Sequence, residues 1–225
     1  MRLPQGVLSV VAVAILTVAS AAGDGARAHP HVWIEAQSDV VFDADGRIAA
    51  INVEWEFDEF FSLTAVEGYD ADGDGTYTPD ELQPLAAENI AALAEYRYFT
   101  YVKAGDAPVD YATVSEYGAF FRDGRLSMYF SVPFAEPVDP LASAVSYTIH
   151  DPTFFIAIEP RREDPVTIVG DPPAPCRIEL AAPADEGGDQ PYSESFFEQL
   201  ADTDDIGSLY ATRIAVVCTP ETARK

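Results

Sequence analysis

Apolar and polar residues alternate along two runs near the start of this chain. His31 to Phe42 alternates loosely, and in Arg47 to Phe57 the residues Ile51, Val53, Trp55 and Phe57 fall on one face. Asp43-Ala44-Asp45-Gly46 lies between them and is a turn signal, so the two runs predict a first β-hairpin. The period then changes. Asp58 to Gly68 reads as a helix with Phe60, Phe61, Leu63 and Val66 as its apolar residues, and Leu82, Leu85, Ala86, Ile90, Leu93 and Ala94 recur at helical spacing up to Tyr96. Thr78 followed by Pro79 suits an N-cap with proline in the first helical position. Pro84 removes a backbone donor and predicts a kink or a delayed start.

Beyond Tyr98 the pattern is short and β-like. Candidate strands are Tyr98 to Lys103, Tyr111 to Phe121, Arg125 to Phe134, Val145 to His150, Phe154 to Ile158, Val166 to Val169, Arg177 to Leu180 and Ala211 to Cys218. Gly105-Asp106, Asp123-Gly124 and several prolines separate them. Phe196 to Leu200 suggests a short helix, and the acidic stretch Asp185 to Gln190 a mobile loop. The expected class is α+β: a mainly antiparallel, sandwich-like β domain over residues 29–225, with a helix–loop–helix inserted at about 58–96.

The insertion carries the most specific chemistry. Asp70 to Glu81, DADGDGTYTPDE, places Asp70, Asp72 and Asp74 at positions one, three and five of a calcium loop, with Gly75 at six and Glu81 at twelve. Ca²⁺ takes six to eight oxygens. The backbone carbonyl of Thr76 supplies one more, Thr78 reaches the ion through a water, and Glu81 closes the site with both oxygens. Tyr77, at position eight, is expected to pack inward. The competing reading is an acidic surface turn. The unit is thus expected to be a single EF-hand with no partner hand, a staple rather than a switch.

Residues 1–28 read as a secretory signal: Arg2, an apolar run from Val7 to Ala22, then Ala26-Arg27-Ala28 as a cleavage site. The expected location is periplasmic. In such a compartment the two cysteines, Cys176 and Cys218, favour one disulfide over two separate thiols. The charge of −25, from 13 basic and 38 acidic residues, makes nucleic acid and anionic membranes poor partners and cations good ones. There is no G-x-S-x-G elbow and no glycine-rich phosphate loop.

The three histidines are His29, His31 and His150. Cleavage after Ala28 would make His29 the N-terminus, joining a free amine and an imidazole on one residue. Pro30 has no N–H to surrender, which excludes a square-planar site built on backbone amides. A brace-like site remains, with His31 as a further ligand on the same strand face and His150 as a third imidazole. Such nitrogen donors suit Zn²⁺, Ni²⁺ or Cu²⁺. On the other reading these are ordinary strand and turn residues. The aromatic-acidic run Trp55 to Phe61 could line a site or be core beside a solvated face.

HPHVWIE at His29 to Glu35, WEFDEFFS at Trp55 to Ser62, the calcium loop and HDPTFF at His150 to Phe155 follow one another in an order that resembles a family of exported bacterial proteins of unknown function. Members of that family are labelled as periplasmic components of an uncharacterised ABC-type transport system. The resemblance implies a link to nickel, cobalt or zinc transport, and it bears most directly on His29 and His31. The leading expectation is a periplasmic metal-binding accessory protein serving a divalent transition-metal transporter. The alternatives are a calcium-stabilised protein-interaction domain and a brace-type copper oxidoreductase.

Overall fold

A computed structural model describes residues 30–183 and 205–220. The expected signal segment, His29, the loop at Asp185 to Gln190 and the helix at Phe196 to Leu200 lie outside the described residues.

The first hairpin forms as its alternation predicts. Strands β1 (Val32–Phe42) and β2 (Ile48–Phe57) pair antiparallel, Ile34 opposite Phe57 and Val40 opposite Ile51. At the turn the Asp43 carboxylate accepts the N–H groups of Asp45 and Arg47, while Gly46 supplies the positive φ of 75° that the reversal needs.

Among the described residues nine more strands follow: β3 (Thr100–Ala104), β4 (Ala107–Pro108), β5 (Tyr117–Arg122), β6 (Arg125–Val138), β7 (Val145–Ile149), β8 (Ile156–Pro160), β9 (Val166–Val169), β10 (Cys176–Ala181) and β11 (Arg213–Cys218). They build two sheets. One has the order β5-β6-β2-β1-β8, with β9 also on β1; the other has the order β10-β11-β7-β3-β4. The pairing is antiparallel except along β1. There Val32 to Ala36 takes β8 in parallel, and Ser38 to Val41 takes β9 in parallel. Between these pairings Arg161 N–H donates to the Ala36 carbonyl and Ser38 N–H to that of Pro165.

The two sheets and the helices contribute to one cluster of buried apolar side chains. Trp55 is 2 % exposed and packs its ring against Phe57, Phe99 and Phe130. An aromatic ring so placed contributes about 3–5 kcal/mol. A hydrogen bond of 2.8 Å between the Ser38 and Tyr147 hydroxyls ties β1 to β7 through this core. Burial there pushes the Tyr147 phenol upward from its ordinary range. The described residues are therefore β-rich, with two sheets and few helices, as expected of an α+β class.

Helix α1 (Glu59–Ala65) and helix α2 (Pro79–Leu93) lie in sequence between β2 and β3. Thr78 caps α2 with Pro79 in the first turn, as predicted. Pro84 neither delays nor ends the helix, which runs on to Leu93. The lost donor at Pro84 is offset by burial of Leu82, Leu85, Ala86 and Ile90 as the helix packs on β5. The α-helix also stops short of Tyr96. A 3₁₀ segment Ala94–Phe99 replaces its last turn, and Arg97, Tyr98 and Phe99 all take positive φ, so β3 starts at Thr100. Other strands also begin later than their apolar runs, β11 at Arg213 rather than Ala211 among them. Tyr111 forms only an isolated bridge to Phe134 before β5 opens at Tyr117. Phe154, with φ 56°, belongs to the turn before β8.

Candidate metal centres

Asp58 fixes where the helix–loop–helix leaves the sheet. Its Oδ1 accepts the Phe61 N–H as the N-cap of α1, its Oδ2 accepts the Trp33 N–H at 3.0 Å, and its own N–H donates to the Trp33 carbonyl. An acid immediately before a helical apolar run is the local signal for this cap. Two residues of the first turn anchor α1. Ser62, fully buried, accepts the Leu126 N–H on its hydroxyl at 2.9 Å, and Phe61 stacks on Phe57. The aromatic-acidic run is thus divided by its surroundings. Trp55 and Phe57 are core, whereas Phe60 is 83 % exposed.

The loop beyond α1 turns back on its own carboxylates. Asp70 Oδ1 accepts the N–H groups of Gly73 and Asp74, and its Oδ2 accepts that of Gly75. Asp72 Oδ1 accepts the Asp74 N–H, and Asp74 Oδ1 accepts both the N–H and the hydroxyl of Thr76. Gly73 and Gly75 take φ of 74° and 82°, which side-chain-bearing residues rarely adopt. In consequence one oxygen from each of Asp70, Asp72 and Asp74 lies within 4.8 Å of the others. These are hard donors of the type Ca²⁺ takes.

Glu81 is the fourth acid of the motif, and it stands slightly apart. Its Oε1 accepts the Ala71 N–H at 2.9 Å, and its Oε2 accepts the Thr78 N–H and hydroxyl at 2.9 and 2.8 Å. With the Thr78 hydroxyl accepting the Glu81 N–H, this is a capping box, legible in the spacing Thr78-x-x-Glu81. The bonds from Thr78, then that from Ala71, hold the carboxyl below its ordinary value. Tyr77 packs inward, edge-on against Phe121 with ring centroids 5.1 Å apart.

The histidines occupy different settings. His31 is exposed just before β1, its ring stacked on Phe155 at 4.7 Å and its N–H donating to the Phe155 carbonyl. His150 is 5 % exposed at the end of β7. Its Nε2 meets Asp205 Oδ1 at 2.9 Å, its ring stacks on Tyr101 at 4.4 Å, and its buried Nδ1 has no hydrogen-bond partner among the described residues. Burial pulls the imidazole below its ordinary value against the opposing pull of Asp205 and Asp151. Asp151 organises the turn that follows, accepting the Thr153 N–H and hydroxyl and the Ile156 N–H. Gly207 packs so closely that a Cβ there would collide with the Asp151 carbonyl. Asp205 gave no isolated signal in so acidic a sequence, whereas Asp151 stands within the motif HDPTFF. Among the described residues, His31 and His150 join no group of three metal-binding side chains.

Cys176 and Cys218 face each other across β10 and β11 and form the expected disulfide. No described helix is long and apolar enough to cross a membrane.

Fold and loop together define a two-sheet β protein with an acidic helix–loop–helix set between its second and third strands. Over residues 11–218 the chain matches, and belongs to, the family described as protein of unknown function (DUF1007). It is also similar to an uncharacterized 15.5 kDa protein from the trpE 3′ region of Spirochaeta aurantia. The two are 29 % identical over 106 residues, 46 % of this chain and 73 % of that one.

Proposed function

We propose that this is an exported metal-binding protein. In this reading, residues 70–81 form an EF-hand loop holding one structural calcium, and the histidine-bearing start of β1 receives a divalent transition metal for a membrane transporter. The observation that carries the calcium half is the convergence of Asp70, Asp72 and Asp74 oxygens within 4.8 Å, directly ahead of α2. With them, the Thr76 carbonyl, a water on Thr78 and the Glu81 carboxylate would complete an oxygen shell of the kind this ion takes. Extracellular modules bind at about 10⁻⁴–10⁻³ M. A loop of that affinity suits a staple that stays loaded outside the cytoplasm, and the disulfide is compatible with export.

The transition-metal half rests on His31, exposed two residues after His29. His150 is less available than His31, since its ring is enclosed and one nitrogen already meets Asp205. Calorimetric titration of the processed protein with Ca²⁺, then with Zn²⁺, Ni²⁺ and Cu²⁺, tests both halves. Asp70→Asn should abolish the calcium heat and His31→Ala the transition-metal heat, each leaving binding of the other ion detectable. Unchanged affinities in these variants would overturn the corresponding half.

A further inference from the structure

The outer face of the larger sheet differs in chemistry from the candidate metal centres. A trough of about 340 Å³ runs over β1, β2 and β6, within the volume range of small-molecule sites. Strand register places its walls on two rungs. Gln37, Glu54 and Tyr129 lie abreast on one, and Asp39, Asn52 and Ser131 on the next. Glu116, just ahead of β5, adds a third carboxylate.

Tyr129 is the apolar element. Opposite it on β5 is Gly118, and a Cβ there would collide with the Tyr129 hydroxyl and ring. The ring therefore lies across the bare glycine, one side against the strand and 46 % of the residue exposed. An aromatic face held in this way supports an alkyl chain or a cation.

The carboxylates are only partly used. Thr167 donates to Oδ1 of Asp39 at 2.6 Å, and Arg161 reaches Oε1 of Glu54 at 3.1 Å while its other nitrogen bonds Gln37. Asp39 Oδ2 and Glu54 Oε2 accept no hydrogen bond from the described residues. No lysine or arginine lines the trough, so its charge is negative and Arg161 at its edge offsets part of it. Asp39 and Glu54 are diagonal neighbours across β1 and β2, a spacing on the order of 7–8 Å. That is about the reach of a short aliphatic diamine.

We propose that this trough binds linear aliphatic polyamines. Asp39 and Glu54 take the ammonium groups, and the hydrocarbon between them lies on Tyr129. A neutral sugar would also stack on Tyr129, but it would leave Asp39 and Glu116, which form no ion pair among the described residues, without a counter-charge.

The test is calorimetric titration of the disulfide-intact, calcium-loaded protein with putrescine and spermidine. At about 0.15 M salt, attraction from surface charge beyond ~8 Å is screened. Saturable binding is expected for both amines, with none for 1,4-butanediol or glucose. Asp39→Asn and Glu54→Gln should each weaken it roughly tenfold or more, a loss of about 1.4 kcal/mol. Tyr129→Ala, which leaves every carboxylate in place, should weaken it as well. Glu88→Gln, on the exposed face of α2, should not. Circular dichroism and melting show which variants keep the fold; should Glu54→Gln lose it with the Arg161 bond, Asp39→Asn and Tyr129→Ala still decide. The proposal is overturned by the absence of saturable binding, by equal binding of butanediol or glucose, or by affinities as high in the folded trough variants as in Glu88→Gln.

Discussion

Calcium should raise the melting temperature of this protein, and Glu81→Gln should remove most of that rise while leaving the calcium-free protein nearly as stable. In the structure Glu81 serves the helix, each oxygen accepting hydrogen bonds from Ala71 or Thr78. Glutamine keeps an acceptor for the Thr78 N–H, so α2 retains its cap. What it loses is the second anionic oxygen that closes the shell around the ion. The size of the effect follows from mass action. At a free calcium concentration one hundred times the dissociation constant, about 10 mM for a site at 10⁻⁴ M, binding adds about 2.7 kcal/mol. In a domain of roughly 150–250 residues each kcal/mol moves Tm by about 2–4 °C. The expected rise is therefore about 5–11 °C. Differential scanning calorimetry in 10 mM calcium and in chelator, with wild type and Glu81→Gln, reads it directly. Equal melting temperatures for the wild type in the two buffers would refute the calcium reading. A full rise in Glu81→Gln would refute the role given to that side chain.

His150 supplies a pH prediction. Its folded value lies below the ordinary value, mainly through burial. The stability it contributes is thus complete above about pH 6.5 and is lost as the pH falls toward and through the folded value, by at most about 1.4 kcal/mol per unit. Melting temperature should decline from pH 7 to pH 5, and His150→Gln should flatten that decline; an unchanged slope in the variant would count against it. The acids held low, Asp43 and Glu81, lose their contribution only at more acidic pH, outside this window. Reduction of Cys176–Cys218, which closes a loop 42 residues apart in sequence, should cost up to about 4 kcal/mol. Melting with and without a phosphine reductant measures it, and an unmoved midpoint would show the bridge to be dispensable.

What could be read from sequence was local. Alternation marked the first hairpin, Thr78-Pro79 marked the start of α2, and the spacing of Asp70, Asp72, Asp74 and Glu81 marked the loop. Each of these signals is complete within a dozen or so residues of chain. The parallel pairing of β8 and β9 with β1 joins segments more than a hundred residues apart, and no local pattern encodes it. Pro84 shows a local rule outweighed: one missing donor costs less than α2 gains by burying Leu82 and Ile90. The left-handed run Arg97 to Phe99 is the reverse case, a backbone cost that no residue type there announces. It persists with Arg97 bonded to the Val109 carbonyl and Phe99 packed on Trp55. The setting of His150 was equally hidden, since Asp205 comes to it from 55 residues away.

The two candidate metal centres are separate in sequence but not mechanically independent. Asp58 accepts from the Trp33 N–H and donates to the Trp33 carbonyl, two residues beyond His31, while its other carboxylate oxygen caps the helix that enters the calcium loop. Ser62 and Phe61 then lock that helix to β6 and β2. On the proposed reading, an ion that stiffens residues 70–81 would restrain α1, and through Asp58 the start of β1. Coupling of this kind is reciprocal in free energy: whatever calcium does for metal affinity at His31, metal at His31 must do for calcium. If the loop binds calcium as proposed, it would then have a function that a solitary EF-hand would otherwise lack. On the proposed reading it would set how firmly the segment carrying His31, just ahead of β1, is held, without any second hand to make it a switch.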